Sequence, residues 1–147
     1  MIFSRIRKAT DPDNVYQIAK NVNASAALTR GQVVTWATAS TTPAVSSAAA
    51  IGTEVIVDPT TPLPPCGIWS DTSTPAGSLG LMQIYGYHNA VGATTGAIHE
   101  SAICSTTTAG RILTGGADPY ATGTAGIIGE IVVAVAANVA GVHIKLM

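Results

Sequence analysis

Leu81, Gln83, Tyr85 and Tyr87 fall on one side of an extended chain, and Met82, Ile84, Gly86 and His88 fall on the other. Residues 13–22 ("DNVYQIAKNV") alternate as well and read as a first strand, and 32–36, after a turn at Gly31, read as another. Residues 51–59 ("IGTEVIVDP") read as a further strand, ended by Asp58-Pro59. Residues 60–69 are reached through a run with prolines at 59, 62, 64 and 65. Proline donates nothing to a ladder, so this stretch is expected to be an extended crossing segment leading into 66–69 and not a central strand.

The remaining pattern continues in short units. Residues 40–50 ("STTPAVSSAAA") read as a small-residue loop, because Pro43 and the serines oppose more than one helical turn. "STPAGSLG" turns into the 80–90 strand and "NAVGATTGA" turns out of it. "IHESAICSTT" and "AGRILTGG" follow, then a glycine-rich loop, "ADPYATGTAG". The closing "IIGEIVVAVAANVAGVHIKLM" predicts a buried strand, a turn at Ala137-Asn138 and a final strand over 141–147. A helix over 127–137 competes, and its β-branched load disfavours it. Short strands with turn signals every 8–12 residues predict an all-β, single-domain antiparallel sandwich, barrel or jelly roll. Residues 1–12 form an extended N-terminal arm in this reading, and 13–147 form the β-rich domain.

Composition supports strands. The chain has 24 Ala, 14 Ile, 13 Val and 19 Thr but only six Leu, and β-branched side chains suit a pleated surface. Charged residues make up 10% of the 147 positions, against about 25% in an ordinary soluble domain. A membrane segment is not the expected explanation, since the uncharged run 131–144 is shorter than the ~20 residues a spanning helix needs. No signal peptide is visible, because Arg5, Arg7 and Lys8 follow Ile2-Phe3, so a soluble protein made in the cytoplasm is expected. A small neutral surface keeps single copies apart poorly, which points to surface buried against other chains. Residues 1–30 carry five bases and two acids, the remainder two bases and six acids, so what basic character there is lies at the leading end.

Candidate chemistry is sparse. Catalysis needs a nucleophile, a base and a charge stabiliser within reach. His99-Glu100 with Ser101 or Cys104 offers the nearest approach, and neither a nucleophile elbow nor a cysteine signature surrounds them. Asp58 and Asp71 read as turn residues rather than as a carboxylate pair. Metal-ligand spacings and phosphate-binding loops are missing, as are the basic stripe and interleaved aromatics of a nucleic-acid surface. Neither a catalytic site, a metal nor a cofactor is expected, and no membrane or specific nucleic-acid partner. Cys66 and Cys104 make no disulfide framework and read as free, partly buried thiols. Trp36, Trp69, Tyr85 and Tyr87 all sit on predicted strands. They read either as core residues or as anchors of a subunit or partner interface.

"PAGSLGLMQIYGYHNAVGATTGA", then "AGRI", "IVVAVAA" and a closing "VHIKLM", resembles small capsid decoration (cement) proteins of tailed bacteriophages. The likeness covers roughly residues 74–147, with "GQVV" at Gly31 as an earlier echo; the arm and the proline run have no counterpart in it. The resemblance implies a non-enzymatic, β-rich structural virion protein. Such a protein is commonly a homotrimer that binds the major capsid protein on the exterior of an expanded shell. In that setting Ile2, Phe3, Arg5, Arg7 and Lys8 are the candidate capsid-contact arm, an arm that would order on binding. A tail-fibre or receptor-binding virion module is the alternative, distinguished by carbohydrate binding. A small glycan-active enzyme ranks third.

Overall fold

Val33 and Val34 are adjacent on one strand, yet they belong to two different hydrophobic cores. That alternation, repeated on neighbouring strands, sets the architecture. The computed structural model describes residues 3–5, 14–24, 26–37, 52–60, 63–114 and 126–146. In chain order the strands are β1 (Phe3–Arg5), β2 (Val15–Asn21), β3 (Leu28–Thr29), β4 (Val33–Trp36), β5 (Glu54–Val57) and β6 (Pro65–Trp69). Then follow β7 (Ser73–Thr74), β8 (Leu79–Gly92), β9 (Ser101–Cys104), β10 (Ile112–Thr114), β11 (Ile127–Ala136) and β12 (Val139–Lys145). There is no helix among the described residues, hence none long and apolar enough to cross a membrane.

The chain is an all-β single domain. Strands β2, β5, β4, β6 and β8 pair in that order, and β8 returns to β2, so five strands close into a barrel. Every pair is antiparallel except β2–β5, joined through Lys20↔Glu54 and Asn21↔Val55. The 14-residue β8 is longer than the barrel needs. Its first half pairs with β2 and β6, and its second half pairs with β12 and begins an open sheet that runs on through β11, β9 and β10.

Each part has its own core. Ala19, Leu28, Val34, Val55, Trp69 and Met82 fill the barrel. Val33 and Ile68 are cross-strand partners on β4 and β6, and they pack instead with Val91, Ile112, Ile128, Ile131, Val142 and Ile144 from the open-sheet region. Thus the strands shared by the barrel and the second core send alternate residues to each, and fully burying such a side chain is worth about 1.5–3 kcal/mol. Cys66 lies in the barrel core and Cys104 in the second; both are free and buried, more completely than the sequence implied.

Several expectations need correction. Pro65–Trp69 is a central strand, flanked by β4 and β8. It tolerates Pro65 because that residue stands at the first position, where a missing donor disturbs least. The turn expected in "NAVGATTGA" begins later, since β8 continues through Gly92 and Ala93 still bridges to Ile112. The final hairpin turns at Ala137-Asn138 as expected, with φ of 50° and 63°, a pair of values suited to a two-residue hairpin turn. Its last strand starts at Val139, earlier than Gly141. Phe3–Arg5 lies antiparallel along β2, with Phe3↔Gln17 and Arg5↔Val15 in register. The loop expected at 40–50 lies outside the described residues, as does most of the glycine-rich loop after β10.

Candidate functional site

Where β8 leaves the barrel for the open sheet, it passes Gly86, whose φ of +99° is unfavourable for residues with a side chain. A polar cleft of about 400 Å³ opens beside this part of the strand. Its floor and walls come from separate segments: Asn14 and Tyr16 at the start of β2, Arg30 in the turn before β4, and Ser70 with Asp71 after β6. From β8 itself come Leu81, Gln83, Tyr87, His88 and Asn89. The turn bearing Arg30 is held by Gly31 N–H to Trp69 O (2.8 Å) and by Gly92 N–H to Gly31 O (2.9 Å), so it is tied to both β6 and β8.

Two buried polar side chains organise the cleft. Gln83 is 1% exposed, and the two hydrogens of its Nε2 are shared among three acceptors, Asn14 Oδ1 (3.2 Å), Tyr85 O (3.1 Å) and Tyr87 O (3.2 Å). One amide thereby ties β8 to the residue preceding β2, with all donor capacity spent on protein acceptors. His88 is 4% exposed, and its Nδ1 accepts the Ala90 N–H at 3.2 Å. Burial, with the Arg30 guanidinium adding to it, lowers its pKa from 6.5 to about 4, so the ring is neutral at pH 7. With Nδ1 accepting, the neutral tautomer carries its proton on Nε2.

The remaining polar groups are fixed as well. Arg30 Nη2 donates to Asn89 Oδ1 (2.8 Å), which ties two of the lining side chains together. Asp71 Oδ2 accepts the Leu81 N–H at 2.9 Å, leaving Oδ1 without a partner among the described residues. The Ser70 hydroxyl is buried and likewise has no partner there. One guanidinium and one carboxylate give the cleft no net formal charge.

The aromatic interface candidates have different fates. Trp69 is completely buried in the barrel core, with Nε1 donating to Thr74 Oγ1 at 3.0 Å. Of the two readings open for this position, its burial matches a core residue. Trp36 is half-buried against the same core. Tyr85 is 43% exposed and meets His143 edge-on, with ring centroids 5.7 Å apart. Tyr87 is half-buried and lines the cleft. Of the arm candidates, Phe3 and Arg5 lie on β1, and Ile2, Arg7 and Lys8 fall outside the described residues.

The possible catalytic grouping around His99 is not assembled. His99 Nδ1 meets Glu130 Oε1 at 3.1 Å on the open surface, whereas Glu100 Oε2 accepts the Ala97 N–H at 2.7 Å. The bond from His99, with Lys145 also nearby, holds the Glu130 carboxyl below its usual range. Cys104 is buried, and desolvation together with the neighbouring Asp58 carboxyl pushes its thiol far up, away from the nucleophilic thiolate. No cluster of three or more His, Cys, Asp or Glu among the described residues is placed to hold a metal ion.

Sequence reasoning missed the cleft. Its signal was present but isolated: Gln83 and His88 are polar positions within an otherwise apolar and aromatic strand, and Asp71 passed for a turn residue. Comparison of the chain with models of protein families, with curated proteins and with solved structures finds no match.

Proposed function

We propose that this protein is a non-enzymatic structural virion component that decorates a phage capsid, binding the major capsid protein lattice from the outside as an oligomer. The observation that carries the reading is the tip of the β11–β12 hairpin. Val133 (51% exposed) and Val139 (39%) face solvent there, in a chain with only 10% charged residues. Ile98 is 51% exposed too, and its segment runs along the same strand through Val135 N–H to Gly96 O and His99 N–H to Ile131 O. An apolar projection on a nearly neutral surface suits burial against a second chain. The resemblance of residues 74–147 to decoration proteins supplies the identity of that setting and the trimeric state, and the hairpin lies within the resembling region.

Light scattering at two protein concentrations tests the oligomer, and co-sedimentation with emptied, expanded capsids tests the attachment. A mass three times the 14.8 kDa chain is expected, falling to that of one chain when Val133 and Val139 are both replaced by Lys. Removal of residues 1–8 is expected to weaken capsid attachment. A monomer that also fails to sediment with capsids overturns the reading.

A further inference from the structure

The cleft beside β8 has a chemistry that the capsid reading does not use. Its unspent groups are of both kinds. His88 Nε2–H is a donor on a side chain more than nine-tenths buried at the cleft wall, and its other ring nitrogen is already engaged. Asp71 Oδ1 is an acceptor, and Arg30 has guanidinium N–H groups beyond the one that holds Asn89. Gln83 lines the cleft with its amide nitrogen fully occupied, which leaves its Oε1 as a further acceptor. Tyr16 and Tyr87 add partly buried aromatic surface.

A ligand matching this set must donate and accept at closely spaced points, present an apolar face to a tyrosine, and carry no net charge. An anion would meet the Asp71 carboxylate and a neutral imidazole with a single guanidinium in compensation, so phosphate is disfavoured. A cation would meet the guanidinium. A neutral sugar satisfies each condition, because every hydroxyl both donates and accepts and one face of the ring is C–H surface. The volume of about 400 Å³ lies at the small end of ligand sites, enough for roughly one or two sugar rings.

We infer that the cleft formed by Arg30, Asp71, Gln83, Tyr87 and His88 binds a neutral carbohydrate unit. The side chains are prepositioned by bonds to the protein itself, so little ordering is left for the ligand to impose. The inference does not rest on the capsid reading, and carbohydrate binding would favour the receptor-binding virion module named as its alternative.

The test is a titration of the ¹⁵N-labelled full chain with the methyl glycosides of glucose, galactose, mannose, N-acetylglucosamine and fucose, with inorganic phosphate as the anionic arm. Saturable shifts are expected at the amides of Ser70, Asp71, Gln83, Tyr87 and His88 with at least one glycoside. Asp71→Asn keeps an acceptor for the Leu81 N–H and turns the free acceptor into a donor. It and Arg30→Gln are each expected to weaken binding at least tenfold while leaving the rest of the spectrum in place. Absence of saturable shifts with all five glycosides overturns the inference. So do shifts that both variants leave unchanged, or a stronger response of the same amides to phosphate.

Discussion

Asn14 Oδ1 occupies the space in which a side chain on Gly86 would begin. The same oxygen accepts from Gln83 Nε2, so Asn14, at the entry into β2, meets β8 at both Gln83 and Gly86. Gly86→Ala is therefore expected to destabilise the fold by about 2 kcal/mol or more. The left-handed backbone contributes roughly 1–2 kcal/mol of that and displacement of Asn14 the remainder. Urea denaturation measures the loss. Asn14→Ala in the Gly86→Ala background should recover part of it if the clash is with that side chain.

His88 makes stability depend on pH in a stated direction. Its folded pKa of about 4 lies below the ordinary 6.5, so the unfolded chain binds the proton more readily. The contribution is whole above pH 6.5 and disappears as pH falls toward 4, a loss of roughly 3 kcal/mol. In His88→Asn an amide oxygen can still accept the Ala90 N–H, and this part of the pH dependence should vanish. Urea midpoints taken from pH 7 down to pH 4 read the difference.

Asp58 acts in the opposite sense. Burial raises its carboxyl pKa, against the bonds from the Cys104 thiol and the Leu63 N–H, and its Oδ2 is buried without a partner among the described residues. A raised folded pKa means that the folded chain holds the proton longer. Stability from this group is greatest below about pH 4 and declines as pH rises through the folded value. In Asp58→Asn the titrating group is gone, and this decline of the urea denaturation midpoint with rising pH should vanish.

Neither thiol should react in the native state. Desolvation raises both, and Cys66 is further enclosed by Val34 O at 3.4 Å and Met82 Sδ at 3.5 Å. A colorimetric thiol reagent at pH 8 is expected to find no reactive group in the folded protein and two after denaturation. Rapid labelling of the folded chain would show that one of the two cores opens locally.

Much of the fold was readable where the determining signal is local. Alternation located β2 and the leading part of β8, β-branched runs bounded by turn residues located β4 and β5, and Ala137-Asn138 marked the final hairpin because that turn depends on two residues. Closure of the barrel was not readable in the same way. The parallel β2–β5 pair joins Asn21 to Val55 across more than thirty residues, and no local pattern encodes that partner. The central place of β6 was hidden by prolines that end where the strand begins. The cleft was least legible, since Asn14, Arg30, Asp71 and His88 are brought together only by the turn before β4 being bonded to β6 and β8.

The long β8 has a mechanical consequence. Tension applied at the hairpin tip enters through β12, passes along the β8 backbone, and leaves through β2, because no linker separates the barrel from the open sheet. Pulling along these strands loads many ladder bonds side by side instead of peeling them singly. The two halves should therefore yield as one body, giving a single high-force rupture in a pulling experiment instead of two successive ones.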